Sequence, residues 1–288
     1  MVESVAAMDL CFAISAEVHR RAQAEFLMAD SRITTIPNGV SVSVFKPVSW
    51  SASEKLGFLN RILVEDPRGW DESCRPGSVS YSAQEVERFK GASGRLKPLV
   101  LYVGRFLDVK RVPLLIEAVA EANRRSGSPE DPPFNLLVWG GAPGEWEGRH
   151  PYQVARELNL PNVFFCGWLP HDLLSQGLNL ADLLVVPSYH DAFGQVLLEA
   201  MAVRVPVLAT RSGGPLDFVV DSGSKANGWF CDVDDVASLA ETMLAALSDQ
   251  TELRRRGQNG LDLIRARYDW NSIAQLYLDV YETLVDQG

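Results

Sequence analysis

PSYHDAFGQVLLEAMAVRVPVLATRSGGP, residues 187–215, is the stretch that decides the fold. LLVVP at 183–187 leads into it, and its apolar residues on both faces give the pattern of a short strand buried inside a parallel sheet. FGQVLLEAMA at 193–202 reads as a helix, so a polar turn containing Gly194 links strand to helix. Such a turn lies at the carboxyl end of a strand, where open α/β sheets bind their ligands. Asp191 and Glu199 stand eight positions apart around that helix start. Strand, glycine turn and helix recur throughout α/β proteins, and an acid near a helix start is also a favourable dipole partner. Alone, the stretch therefore fits a structural role as well.

Outward from this run the pattern is regular. Strands are expected at 99–103, 134–139, 163–166, 183–186 and 205–209, with helical patterns between them, and this alternation predicts an α/β doubly wound parallel sheet. Helices are expected over 235–247, 251–267 and 271–285. The last carries Ile273, Leu276, Tyr277, Val280 and Leu284 at helical spacing, which predicts a packing face. Residues 1–36 give a helix-like start, a strand at 10–14, an amphipathic helix from 16 to 28 and a strand at 32–36. These read as the last βαβ piece of a domain whose earlier part is missing. From 48 to 97 proline, serine, glycine and charges dominate, with a short helix expected at 82–90. This is a linker or insertion to which the sequence assigns no chemical role.

Composition excludes several classes. A hydrophobic content of 47% and a charged content of 22% are ordinary globular values. The net charge of −10 argues against a nucleic-acid coat, which needs a basic face. Cys11, Cys74, Cys166 and Cys231 show no metal-ligand or redox spacing and read as small buried hydrophobes in a reducing compartment. No apolar run approaches about 18 residues, and the first residues carry acids where a signal peptide carries bases, so a soluble, cytoplasmic chain is expected. An amphipathic surface leaves peripheral membrane contact open. Oligomeric state is not readable.

The strand at 99–103 ends in Gly104-Arg105, and Lys110 follows five residues on, before a helix with Pro113 in its first turn. Arginine offers a planar fork for phosphate oxygens and lysine a point charge. Either cation alone also fits a solvated loop. Together with Asp191, Glu199 and the unpaired N–H groups of a helix starting at Gly194, they share one edge of one sheet and outline a diphosphate pocket. DVDD at 232–235 could mimic a metal site but reads better as acids at a helix start.

VGRFLDVK at 103–110, HDAFGQVLLEAMA at 190–202 and PVLATRSGG at 206–214 resemble the C-terminal, donor-binding domain of retaining GT-B glycosyltransferases of family 4. IPNGVSVSVFKP at 36–47 resembles the segment leaving that family's N-terminal domain. The likeness implies a remnant of the acceptor domain at 1–47, the insertion at 48–97 and a Rossmann-like nucleotide-sugar domain at 98–288. It implies catalytic parts for Arg105 and Lys110 on the donor pyrophosphate and for Asp191 on the transferred sugar, with Glu199 on the ribose. It also implies backbone contacts at Phe193, Gly194, Gln195 and Val196, a donor contact at Gly104, and a nucleobase near Gly140, Gly141, Gly167 and Trp168. No metal and no cofactor beyond a UDP-, GDP- or ADP-sugar donor are implied. The acceptor would be a small molecule, lipid or glycan.

Several positions depart from the family pattern. Asp191 stands where glutamate is usual, Arg111 and Arg204 where glycine is common, and the acceptor domain's glycine-rich loop and histidine have no counterpart. Of the four histidines only His190 falls close to the expected sugar site, and it reads better as a bystander. Besides a hexosyltransferase, the chain fits a non-catalytic nucleotide-sugar-binding module. A GT-B-fold epimerase fits less well, because it should lack the paired motifs.

Overall fold

The computed structural model describes residues 8–127 and 131–286. The helix-like start expected before the first strand lies outside these residues. The described chain opens with β1 (Cys11–Ala13), α1 (Ala16–Phe26) and β2 (Ile33–Thr35), and β1 and β2 pair in parallel. α1 begins at Ser15, whose hydroxyl accepts the Val18 N–H at 3.2 Å and so satisfies one of the donors left free at a helix start.

The 48–97 stretch is built into the core. Two S-x-x-E capping boxes, Ser51/Glu54 and Ser82/Glu85, start α2 (Ala52–Asn60) and α3 (Ala83–Val86). A π-helical turn, Arg61–Glu65, continues α2, and Phe58, Leu59, Ile62, Leu63, Val86 and Phe89 are all buried. Phe89 meets Phe164 with ring centroids 4.4 Å apart. Alternation of apolar and polar residues along these short helices supplies this packing, which the local composition obscures.

The main sheet holds β3 (Leu99–Val103), β4 (Asn135–Trp139), β5 (Val163–Gly167), β6 (Leu183–Val186), β7 (Val207–Thr210) and β8 (Gly228–Cys231). All pairings are parallel, in the order β5-β4-β3-β6-β7-β8. Between the strands run α4 (Val112–Ser126), α5 (Pro151–Glu157), α6 (Leu174–Leu180) and α7 (Gln195–Ala202). Side chains alternate across the sheet, so Leu99 and Leu101 join the core of one face while Val100 and Tyr102 join the other. The first face is covered by the 48–97 helices, α6 and α7. The second is covered by α4 and by α8 (Val236–Ser248), whose Leu239, Ala240 and Met243 are buried.

β8 was not expected from the sequence, and β7 starts at Val207, after Pro206, rather than at 205. The helix expected over 251–267 is α9 (Gln250–Leu263) running into a π-helical turn, Ile264–Tyr268. In the final helix, α10 (Trp270–Asp286), only Ile273 is fully buried, whereas Leu276 and Leu284 are exposed. Tyr277 and Tyr281 set their edges against Phe12, at 4.9 and 6.0 Å between centroids. The expected packing face is therefore used only in part. Cys166 and Cys231 are buried, but Cys11 and Cys74 are half-exposed, and all are free thiols. No described helix is long and apolar enough to cross a membrane.

Candidate functional site

β3 pairs with the next strand in sequence on one side and with β6 on the other, so the strand order reverses between β3 and β6. The carboxyl ends of strands at such a reversal diverge into a crevice. Lys110 reaches the crevice from the turn after β3 and Asp191 from the turn after β6. Lys110 Nζ lies 2.6 Å from Asp191 Oδ2, and the two side chains are 21% and 18% exposed. The other carboxylate oxygen, Asp191 Oδ1, accepts the N–H groups of Gly194 at 2.9 Å and Phe193 at 3.3 Å. One carboxylate thus ties a cation to the start of α7, with charge-assisted bonds on both sides. The Tyr189 N–H donates to the Val109 carbonyl at 2.8 Å and locks the two turns together.

The S-G-G turn after β7 closes this side. Gly213 has φ 69°, and an added Cβ would overlap the Asp191 carbonyl oxygen. The Gly214 N–H donates to that same carbonyl at 2.8 Å. The amides of Phe193 and Gly194, expected to face a ligand, are held by Asp191 in this structure. Gln195 and Val196 form the first turn of α7, which has no side-chain cap at Gly194.

Glu199 lies one turn into α7 and is 8% exposed. Burial raises its pKa from 4.5 to about 7, against an opposing hydrogen bond from Gln195. His171 Nε2 stands 3.9 Å from Glu199 Oε1. His171 is the residue that sequence reasoning missed, because the contact joins a turn after β5 to a helix after β6. His190, read as a bystander, pairs with Glu17 on α1 at 3.2 Å. The opening βαβ unit docks here as well: Ser15 Oγ donates to the Ala192 carbonyl at 2.8 Å, and Gln195 Nε2 to the Gly39 carbonyl at 3.0 Å.

Beside the Lys110–Asp191 pair lies a cleft of about 320 Å³ whose lining includes Gly104, Arg105, Gly140, Gly141, Trp168 and His171. Five expected positions therefore share one cavity. Gly140 has φ 134°, and a Cβ there would overlap the Gly104 carbonyl oxygen. Its N–H donates to the carbonyl of Gly167 at 2.9 Å. The Arg105 side chain is 61% exposed and only 3.5 Å from Glu145, a weak surface pair that leaves the guanidinium open to an anion. It belongs to this cleft and makes no ion pair with Asp191. Trp168 is 55% exposed and presents its indole as a stacking surface on the cleft. The DVDD acids do other work: Asp234 pairs with Arg111 at 2.7 Å, and Asp235 caps α8.

A family model described as glycosyl transferases group 1 matches residues 83–262. D-inositol 3-phosphate glycosyltransferase of Nocardia farcinica is 33% identical over 227 residues, which are 77% of this chain and 47% of that protein. The chain spans about half the length of the curated relatives it matches. Among solved structures, sucrose-phosphate synthase from Thermosynechococcus elongatus superposes with a TM-score of 0.75 at 25% identity, over 100% of this chain and 61% of that one. HepE of Anabaena, solved with UDP, gives 0.71 at 19% identity, over 96% of this chain and 64% of that one.

Proposed function

The chain belongs to the glycosyl transferases group 1, and from that premise we propose that its cleft binds the nucleoside diphosphate of a hexose donor. The hexose passes to a hydroxyl-bearing acceptor with retention at the anomeric carbon. The observation that carries this reading is the Lys110–Asp191 pair at the start of α7, set at the reversal of strand order beside the glycine-walled cleft. In this reading the diphosphate lies across Lys110, Arg105 and the first turn of α7, and the base enters the cleft under Trp168.

As the glycosidic bond breaks, the leaving diphosphate gains negative charge. Prepositioned cations and amides then stabilise the transition state more than the ground state, and this neutralisation needs no metal ion. Lys110 exchanges its contact with Asp191 for a phosphate oxygen. An ionised carboxylate has about four acceptor sites. Asp191 has contacts with two amides and Lys110 in this structure, so departure of Lys110 frees a site for a sugar hydroxyl. Glu199 accepts the ribose hydroxyls and loses its proton as they arrive.

HepE has been solved with UDP-glucose, which favours a donor of that chemistry here. The curated relatives named for D-inositol 3-phosphate favour a polyol as acceptor. The test is to incubate the chain with UDP-, GDP- and ADP-hexoses and to measure binding and donor cleavage separately. Binding with cleavage or transfer is the expected result. Binding without either replaces the transferase by a nucleotide-sugar-binding module, and no binding removes both readings.

A further inference from the structure

The 48–97 insertion supplies no charge to the crevice, yet it touches each backbone turn that shapes the base side of the cleft. Trp70 is 1% exposed and stacks on Phe106, the residue after Arg105, with centroids 5.4 Å apart and planes at 22°. Its Nε1–H donates to the Gly141 carbonyl at 2.7 Å. Next to it, the Arg68 carbonyl occupies the place a Cβ would take on Gly167, and Gly69 lies against the Phe165 carbonyl. Tyr81 completes the contact, its hydroxyl accepting the Phe165 N–H at 2.8 Å. His150 closes the aromatic cluster edge-on to Trp70 at 4.7 Å, and burial lowers its pKa, which favours the neutral imidazole.

We propose that Trp70 is a positioning residue that orients the Gly141–Ala142 peptide toward the nucleobase of the donor, and that the insertion is the brace holding it. The inference rests on the donor reading above. An indole N–H only donates, so the Gly141 carbonyl must point at Trp70. In a trans peptide the C=O and the following N–H point to opposite sides. Anchoring the carbonyl to Trp70, which lies behind the cleft, turns the Ala142 N–H toward the cleft that Ala142 lines. The other side of the same turn is fixed independently, since the Gly141 N–H donates to the Gly104 carbonyl at 3.1 Å. The result is a rigid backbone donor for a base acceptor, set by a side chain that never touches ligand.

The test separates base from phosphate. Trp70→Phe keeps a ring against Phe106 but removes the indole N–H together with part of the ring that packs on Trp146 and His150. Titration of the full chain with UDP, GDP and ADP is expected to show about a tenfold loss of affinity for whichever the wild type binds, because a buried carbonyl loses its partner and its orientation. Inorganic pyrophosphate, which meets only the charged side, should bind unchanged. Ser78→Ala loosens the Asp71–Ser78 contact beside Trp70 but keeps the indole N–H, so it should cost nucleotide affinity less than Trp70→Phe and leave pyrophosphate binding unchanged. Should Trp70→Phe not fold, nuclear magnetic resonance of the wild type decides. Nucleoside diphosphate should move the Trp70 indole and Ala142 amide signals, and pyrophosphate should not. Unchanged nucleotide affinity in Trp70→Phe, an equal loss for pyrophosphate, the same loss in Ser78→Ala, or an unmoved Ala142 amide overturns the proposal. A wild-type chain that binds none of the three diphosphates overturns the donor reading itself.

Discussion

The two sides of the crevice are built by different means. On the side proposed to hold phosphate, Lys110, Asp191 and the start of α7 lie within two short sequence motifs, and they satisfy one another by charge. On the side proposed for the base, Arg105 and Glu145 line the cleft as a weak surface pair. Its shape comes from Gly104, Gly140 and Gly141, held by carbonyl contacts and by Trp70 from a distant insertion. The difference implies that the first side depends on charge as well as on its glycine turn, and the second chiefly on shape.

The sharpest break should come from charge. Lys110→Ala or Arg105→Ala should lower turnover about 10²–10³-fold, the usual cost of one lost transition-state donor. Both proteins should remain folded, because Arg105 is largely exposed and Lys110 lies at the surface of the crevice. Pyrophosphate binding should fall with turnover, and near-wild-type turnover in either variant contradicts the assignment. Gly140→Ala is the complementary break, with no charge altered. Its backbone at φ 134° and the overlap with the Gly104 carbonyl should cost about 3 kcal/mol, read as a lower denaturation midpoint. An undisturbed midpoint would show that the base side yields more easily than its geometry suggests.

Glu199, on α7, faces His171 of the cleft lining at 3.9 Å. Its folded pKa is raised by burial to about 7 from 4.5. The unfolded chain therefore loses this proton first, and folding stability from this group declines as pH rises from 4.5 to 7 and then levels. Glu199→Gln removes the effect, so its stability relative to wild type should improve by about 2 kcal/mol between pH 5 and pH 8, discounting for partial solvent contact. Ribose hydroxyls prefer the ionised form, so nucleotide affinity of the wild type should rise over the same range, and a flat profile counts against the ribose role.

The smallest effect concerns two arginines in left-handed backbone. Arg111, φ 53°, is compensated by Asp108 at 2.6 Å, Asp234 at 2.7 Å and the Tyr189 ring at 5.1 Å. Arg204, φ 68°, has no side-chain partner among the described residues. Arg204→Gly should therefore stabilise by about 0.5–1 kcal/mol, whereas Arg111→Gly should not. Equal melting shifts in the two variants would remove the distinction.

Legibility in the sequence follows the same division. β3 and β6 fall on the residues their apolar runs mark, and Lys110 and Asp191 meet at the sheet edge, 2.6 Å apart, while Glu199 faces His171. Four residues of β8, opening on glycine and only half-buried in the middle, carry too short a pattern to read. The insertion hid its core because Phe58, Ile62 and Trp70 are scattered among prolines, serines and charges. His171 and Trp70 act across chain separations that no local motif records. The Lys110–Asp191 pairing was legible because each residue sits in a short motif at a strand end; the shape of the glycine cleft was not, because distant backbone sets it.

The central claim is that one ligand spans both sides, with its diphosphate at Lys110 and Arg105 and its base in the glycine cleft. Calorimetric titration of the chain with UDP, GDP and ADP, with and without saturating pyrophosphate, tests it most directly. The account predicts that at least one nucleotide binds and that pyrophosphate competes with it. Nucleotide binding that pyrophosphate leaves untouched, or no binding by any of the three, contradicts it.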